Sequence, residues 1–135
     1  MKKEDMPYVL KIERQSFKDP WTEGMFEKEV GSDFYVVKRG ENIVGYGGFI
    51  AVFEEADLIN IAVSPLFRRK KIGSYLLNFL IKKAKEKGVE EIKLEVRESN
   101  KIAQMFYKKH GFLEIGKRKG YYKDEDAIVM ACVLK

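Results

Sequence analysis

Residues 58–86 read LINIAVSPLFRRKKIGSYLLNFLIKKAKE, and their pattern sets the architecture expected for the whole chain. The first part, Leu58–Val63, is an apolar run bounded by a Ser-Pro pair, which predicts a strand buried on both faces. Over Lys71–Lys87, apolar residues recur at helical spacing. The next segment, Glu91–Arg97, alternates between apolar and charged residues and predicts another strand. A strand, a helix and a strand in this order are expected to form a right-handed parallel crossover.

Segments on both sides of this crossover add further helices and strands. Asp5, with a proline in the following turn, predicts a helix start. Thr22 is placed to cap a second short helix that ends at Gly31. Ser99 or Asn100 is expected to cap a helix after the crossover. The other strands are predicted at Phe34–Lys38, Ile43–Phe53 (with glycines that indicate a bulge or bend), Phe112–Arg118 and Asp126–Leu134.

This order of elements places the chain in the α/β (α+β) class. We expect a mixed, mostly antiparallel central sheet with helices on both faces. The length of 135 residues matches one domain, residues 1–135. The apolar fraction of 45% is too high for a disordered chain.

The net charge and the single cysteine limit the ligand class and the cellular compartment, but they do not identify one ligand. The net charge of +5 favours polyanionic ligands, whether RNA, a membrane surface or a phosphorylated cofactor. The single cysteine, Cys132, allows no intrachain disulfide and is expected to be a small core residue in a reducing compartment. No apolar stretch reaches membrane-spanning length, and the N-terminus lacks a signal-peptide core. We therefore expect a cytoplasmic protein without membrane association.

A basic loop lies between the first crossover strand and its helix. Arg68-Arg69-Lys70-Lys71 precedes the predicted helix start, and Ile72-Gly73-Ser74 follows. The free N–H groups and the dipole of a helix N-terminus favour anions, so four cations there oppose the dipole. One interpretation is a solvated basic run. The other, which explains why cations stand at this end of a helix, is a site for a compact polyphosphate.

Glu95 and Tyr107 are candidates for acid–base chemistry. Glu95 occupies an interior position of a strand, where a carboxylate is exposed at the sheet end, paired with a cation, or functional. Lys93 and Arg97 lie on the same face and are available as its partners. If the following helix runs back along the strand, Tyr107 comes level with Glu95, giving one candidate base and one candidate acid. The alternative for Tyr107 is simple core packing beside its aromatic neighbours.

Several motifs resemble the GCN5-related N-acetyltransferase (GNAT) superfamily. The loop Arg68–Gly73 occupies the position of the family's pyrophosphate loop, Gln/Arg-x-x-Gly-x-Gly/Ala. More narrowly, the chain resembles the RimI-like branch, the bacterial ribosomal-protein alanine N-acetyltransferases. The segments that carry this resemblance are Pro20-Trp21, Asn60–Pro65, Leu94–Asn100, Tyr107, Gly111-Phe112, Gly120–Tyr122 and Glu125–Met130.

The resemblance implies a direct transfer of an acetyl group from acetyl-CoA to an amine, with no metal. Glu95 is implied as the general base and Tyr107 as the general acid. Trp21, Tyr121 and Tyr122 are implied to shape the acceptor pocket. The residues implied to bind the cosubstrate are Ile61, Ala62 and Val63 through their backbone, Arg68, Arg69, Lys70, Lys71, Ile72, Gly73 and Ser74 in the loop, and Asn100.

The chain departs from the family pattern in two places. Lys71 stands where the family usually has glycine, so its side chain either narrows the phosphate cradle or adds a charge to it. The strand that usually precedes the first helix is absent or very short, which predicts an open sheet edge.

The sequence does not decide which amine accepts the acetyl group. The branch implies the N-terminal amine of a ribosomal protein. The same chemistry on a lysine side chain, a polyamine or an aminoglycoside is the alternative, because the fold does not fix the acceptor. A basic nucleic-acid or ribosome-binding module is a further alternative. No aromatic residue interleaves with Arg68–Lys71 as a stacking platform would require, so direct nucleic-acid binding is not expected.

Overall fold

The computed structural model describes residues 1–29, 33–68 and 71–134, with the backbone alone at Glu29. The described α-helices are α1 (Met6–Ser16), α2 (Glu23–Glu29), α3 (Ile72–Glu86) and α4 (Lys101–Lys109). The strands are β1 (Phe34–Arg39), β2 (Asn42–Val52), β3 (Glu55–Val63), β4 (Glu91–Arg97), β5 (Leu113–Arg118) and β6 (Ala127–Val133). Short 3-10 helices cover Lys3–Asp5 and Pro65–Phe67.

The strands form one mixed six-stranded sheet in the order β1-β2-β3-β4-β6-β5. β3 and β4 are parallel, as expected for two strands joined through α3. The pairs β1–β2, β4–β6 and β5–β6 are antiparallel. The predicted fold class is therefore confirmed. The chain divides into two compact units, residues 1–50 with 59–83 and residues 51–58 with 84–135.

The first unit is built around an aromatic and aliphatic core. Val9 of α1, Phe26 of α2 and Tyr46 of β2 are fully buried in it. Gly48 of β2 allows the ring of buried Phe34 to approach the backbone closely. A Cβ built on Gly48 would lie 2.3 Å from that ring, so only glycine fits there. The register between β1 and β2 shifts beside Gly45, which confirms the predicted irregularity.

The second unit contains β4, β5, β6, α4 and the beginning of β3. β4 pairs with β6 along its whole length, from Glu91 opposite Val133 to Arg97 opposite Ala127. Ile92, Leu94 and Val96 are buried, whereas the charged residues between them are partly exposed, as the alternation predicts. The charged face of β4, where Glu95 lies, therefore remains accessible.

Some boundaries and burial states differ from the expectations. β3 begins at Glu55, three residues before the apolar run, because the turn from β2 leads directly into it. The expectation that Leu58–Val63 is buried on both faces is wrong, because four of its six residues are only partly buried. Cys132 is a free, partly buried thiol rather than a core residue. The predicted end of α2 at Gly31 lies outside the described residues.

The N-terminal part of the described chain begins with the 3-10 helix and contains no strand before α1. Thr22 caps α2 as predicted, since its hydroxyl accepts a hydrogen bond from the Met25 N–H at 3.3 Å. Among the described helices, none is both long and apolar enough to cross a membrane.

Candidate active site

The basic loop of the first unit leads into the N-terminus of α3. Lys71, the residue before the helix, has φ +64°, a left-handed conformation that glycine adopts most readily. Glycine, which the resemblance implies at this position, would adopt this conformation without strain. The Lys71 carbonyl accepts the Tyr75 N–H at 3.0 Å, so the residue functions as the N-cap. Arg69 and Lys70 lie outside the described residues.

The start of α3 fits a bound pyrophosphate. Its first turn contains no acidic side chain, so nothing there opposes an anion at the positive end of the helix dipole. Lys71 is exposed, and Ile72, Gly73 and Ser74 are partly exposed. An accessible helix N-terminus without acidic side chains has backbone N–H groups that can donate hydrogen bonds to phosphate oxygens.

Arg68 is tied back to its own unit. Its Nε donates to the Val63 carbonyl at 3.0 Å, and its Nη2 donates to the Ser16 hydroxyl at 3.0 Å. The guanidinium thereby links the loop to the end of β3 and the end of α1. The sequence predicts Arg68 as a cosubstrate-binding residue, and the structure adds this tethering function to it.

The end of β3 contains the backbone groups implied by the resemblance to bind the cosubstrate. Ala62 is buried, whereas Ile61 and Val63 are partly buried. On the β2 side, the Ser64 N–H donates to the Val44 carbonyl at 2.8 Å, and the Ala62 carbonyl lies 3.1 Å from a Cβ built on Gly45. β2 therefore fixes the path of this segment.

Trp21, predicted to contact the acceptor, also belongs to the first unit. Its ring is partly buried and meets Phe26 edge-on, with 5.2 Å between the ring centroids. Its backbone N–H donates to the carboxylate of Glu13 at 2.8 Å. Glu13 is a residue that the sequence interpretation did not single out.

Glu95 lies at the middle of β4 in the second unit, with its side chain 22% exposed. Its ion pair is formed with Arg118, whose Nε is 3.6 Å from its carboxylate. Of the two partners predicted for it, Lys93 pairs with Glu55 and Glu91, and Arg97 pairs with Asp124. A separation of 3.6 Å to an exposed arginine makes this a weak ion pair.

Tyr107 lies in the last turns of α4, where its ring packs against Phe106 and Phe112 with centroids 5.3 Å and 5.7 Å away. The packing alternative is thus realised, but it does not exclude a chemical role. Burial, and to a lesser extent Tyr122, raise the pKa of the Tyr107 phenol above its usual value. The phenol therefore carries its proton at neutral pH, as a general acid must.

The two adjacent tyrosines Tyr121 and Tyr122 are held by arginines. The Arg97 guanidinium lies 4.3 Å from the Tyr122 ring centroid, and the Arg118 guanidinium lies 5.7 Å from that of Tyr121. Burial, followed by the charge of Glu95, raises the pKa of Tyr121. Burial, with Tyr121 next, raises the pKa of Tyr122 to about 12, although Arg97 opposes this. Both phenols are therefore neutral near Glu95.

Asp124 and Glu125, in the segment after these tyrosines, form hydrogen bonds with residues at and just after the end of β4. Arg97 Nη1 donates to Asp124 at 2.7 Å, and the Ser99 hydroxyl donates to Glu125 at 2.8 Å. Asn100 is the N-cap of α4, because its side chain accepts the Ala103 N–H at 3.1 Å. The resemblance implies that Asn100 contacts the acyl-coenzyme arm, and the structure shows that its side-chain oxygen also serves the helix.

The second unit therefore brings Glu95, Tyr121 and Tyr122 into electrostatic range of one another, with Tyr107 in range of Tyr122. A carboxylate and a protonated phenol provide the proton acceptor and donor that amide formation from a thioester requires. The basic loop, the end of β3 and Trp21 belong to the first unit.

Comparison with known proteins identifies the family. The model of the acetyltransferase (GNAT) family matches residues 6–112. The chain belongs to this family. It is thus an acetyl-CoA-dependent N-acetyltransferase, which confirms the family and the enzyme class predicted from the sequence.

Several proteins with known names are similar to this chain in sequence or in structure. The [ribosomal protein bS18]-alanine N-acetyltransferase of Haemophilus influenzae is 40% identical to this N-acetyltransferase, over 96% of the chain and 93% of the relative. The crystal structure of the ribosomal-protein-S18-alanine N-acetyltransferase from Escherichia coli has a TM-score of 0.91 at 33% identity, covering 100% of this chain and 91% of that one. Ard1 from Thermoplasma volcanium has a TM-score of 0.94 at 27% identity, covering 100% and 95%.

The described part of the N-acetyltransferase contains no group of three or more His, Cys, Asp or Glu residues that could hold a metal ion. Independence from metals stays a prediction. The roles of the individual site residues also stay predictions.

Proposed function

We propose that this enzyme transfers the acetyl group of acetyl-CoA to the N-terminal amine of a protein, with a ribosomal protein that begins with alanine as its acceptor. The observation that carries the proposal is the 40% identity to a relative named for acetylating an alanine of ribosomal protein bS18. Alanine has a single nitrogen, and in a protein that nitrogen is a free amine only at the N-terminus. A ribosomal acceptor would place the enzyme in the cytoplasm.

Glu95 is the proposed general base. The neutral acceptor amine attacks the thioester, and the partly exposed Glu95 carboxylate accepts the proton that the nitrogen then loses, directly or through a water molecule. Bound acetyl-CoA supplies the thioester acetyl group. The C–N bond forms as the C–S bond breaks, and positioning of the two reactants contributes much of the rate.

Tyr107 is the proposed general acid. Its phenol donates a proton to the departing thiolate, so that the products are an amide and a neutral thiol. The raised pKa of Tyr107 keeps that proton available. One proton is thus removed at the amine and one is delivered at the sulfur.

The first unit is proposed to hold the cosubstrate. Backbone groups at the end of β3 would bind the pantetheine arm as an added strand does. The residues of the first unit proposed for this binding are Ile61, Ala62, Val63, Arg68, Arg69, Lys70, Lys71, Ile72, Gly73 and Ser74. Asn100 of the second unit is also proposed to contact the cosubstrate. Support comes from the exposed N-terminus of α3 without acidic residues. We also propose that residues 1–135 act as one N-acetyltransferase domain, since the family model spans most of both units.

Replacing Lys71 with glycine is expected to weaken acetyl-CoA binding about two- to fivefold at low salt, because a charge beside the pyrophosphate is worth about 0.3–1 kcal/mol at an exposed site. The difference should shrink at high ionic strength. Isothermal titration calorimetry at two salt concentrations measures it. Lys71→Asn is the matched control, since asparagine tolerates the left-handed backbone without a charge and should behave like glycine. Tighter binding by Lys71→Gly would show that the side chain narrows the cradle instead.

A panel of peptides that differ only in their first residue tests the proposed acceptor. Peptides that begin with alanine should have kcat/KM at least about tenfold above those that begin with a larger aliphatic residue, because a close-fitting pocket rejects extra methylenes by this much. Coenzyme A release is the readout, and the same peptide with a blocked terminus is the control. Equal rates for all first residues would contradict an alanine-specific enzyme. Turnover of a polyamine or aminoglycoside in place of peptides would overturn the peptide assignment.

A further inference from the structure

A buried carboxylate in the first unit accepts hydrogen bonds from three separate segments of the chain. Glu13 of α1 is 1% exposed. One carboxylate oxygen, Oε2, accepts the Trp21 N–H at 2.8 Å. The other, Oε1, accepts the side-chain amide of Asn60 at 3.1 Å and the hydroxyl of Tyr46. The helix, the loop after it and two strands therefore meet at one side chain.

The chemistry of this carboxylate is unusual for a core residue. All three groups that donate to it are neutral, so its desolvation is offset by hydrogen bonds alone. Burial raises the pKa of Glu13, and the bonds from Tyr46 and Trp21 oppose that rise. Burial and Glu13 also raise the pKa of Tyr46, which keeps its hydroxyl protonated as a donor. A buried carboxylate is unfavourable if it only fills space in the core. Glu13 therefore contributes through the hydrogen bonds that it accepts.

The two carboxylate oxygens have different partners. Oε1 connects α1 with β2 and β3, which are parts of the scaffold. Among the described residues, Oε2 accepts one hydrogen bond, from the backbone N–H of Trp21. The Trp21 ring packs on Phe26, which in turn packs on Tyr46. Trp21 follows Pro20, which has no N–H, so this hydrogen bond fixes the chain directly after the proline.

We propose that Glu13 is a positioning residue, whose Oε2 fixes the backbone of Trp21 and so sets the acceptor-contacting indole. This inference rests on the proposed function, in which Trp21 contacts the acceptor peptide. Glu13 itself touches neither substrate. Loss of its hydrogen bond should therefore impair peptide binding and leave acetyl-CoA binding unchanged.

The test uses Glu13→Met, which keeps the length of the side chain but removes both acceptor oxygens, and Tyr46→Phe, which removes a donor on the Oε1 side only. Glu13→Met leaves several buried donors unsatisfied and can fail to fold. The double variant Glu13→Met with Tyr46→Phe removes the hydroxyl together with its acceptor, so it retains more stability and still leaves Trp21 unheld.

In Glu13→Met and in the double variant, we expect the peptide KM to rise about three- to tenfold, the equivalent of one lost hydrogen bond. The KM for acetyl-CoA should stay within about twofold in every variant, and Tyr46→Phe should change neither KM by more than that. Trp21 is the single tryptophan of the chain, so its fluorescence reports the same site without turnover. Its emission should shift to the red, and acrylamide should quench it more, only where Glu13 is replaced.

Two outcomes separate the inference from the function on which it rests. If the Glu13 variants match Tyr46→Phe in emission and peptide KM, Glu13 is a structural residue only and the inference is overturned. Trp21→Ala tests the function separately. If that variant keeps the peptide KM, Trp21 does not contact the acceptor, whatever the fluorescence of the Glu13 variants shows about its position.

Discussion

Replacing Glu95 with glutamine is expected to lower kcat by about 10²- to 10⁴-fold, the range that a positioned general base contributes. The amide keeps the size of the side chain but does not accept a proton from the acceptor amine. Acetyl-CoA affinity should stay near that of the unchanged enzyme, because none of the residues proposed to bind it is replaced. Steady-state kinetics together with calorimetric titration of acetyl-CoA measures both quantities.

Glu91→Gln is the matched control for this variant. Glu91 lies on the same strand and the same face as Glu95, but it pairs with Lys93 at 3.5 Å. Its replacement should leave kcat unchanged. If Glu95→Gln retains full activity while acetyl-CoA still binds, Glu95 has no part in proton transfer.

Replacing Tyr107 with phenylalanine is expected to lower kcat by about 10²-fold or more, because the departing thiolate then lacks its proton donor. The ring contacts with Phe106 and Phe112 do not involve the hydroxyl, so the melting temperature should change little. The pKa of Tyr107 is raised above its ordinary value of 10.0, so the phenol stays protonated as the pH rises through 10. Loss of this proton should therefore not limit the unchanged enzyme below about pH 10.

Tyr8→Phe is the control for the hydroxyl deletion, because Tyr8 is 59% exposed on α1 and has no proposed role. A pH–rate profile of the unchanged enzyme and of both variants makes the comparison. Tyr107→Phe with a normal kcat would leave Tyr107 with packing alone, and the proton donor would have to be sought among its neighbours.

Local patterns in the sequence were enough to predict most elements of the fold. The strand Glu91–Arg97 has the predicted ends and the predicted alternation, because its pattern is period-2 and its neighbours are turns. The helix after the basic loop begins and ends within one residue of the prediction. β3 was predicted three residues too short, because Glu55 and Asp57 are exposed members of a strand whose apolar run begins later.

The missed residues of the site depend on contacts between distant segments. Arg118 pairs with Glu95 only because β5 and β4 both flank β6, and no local pattern announces that strand order. Glu13 looks like an ordinary charged residue of a surface helix, yet it is buried beneath Trp21 and Tyr46. A signal was present, since Glu13 follows Val9, Leu10 and Ile12 on the apolar stripe of α1. Lys71, by contrast, was recognised from the family pattern, and its left-handed backbone supplies the reason.

The most direct test of the central claim is the position of the acetyl group in the product. A peptide that begins with alanine and carries one internal lysine is incubated with acetyl-CoA and the enzyme, and tandem mass spectrometry locates the acetyl group. A protein N-terminal acetyltransferase places it on the alanine nitrogen, and the same peptide with a blocked terminus stays unmodified. Acetylation of the lysine in both peptides would contradict the account and assign the enzyme to side-chain amines.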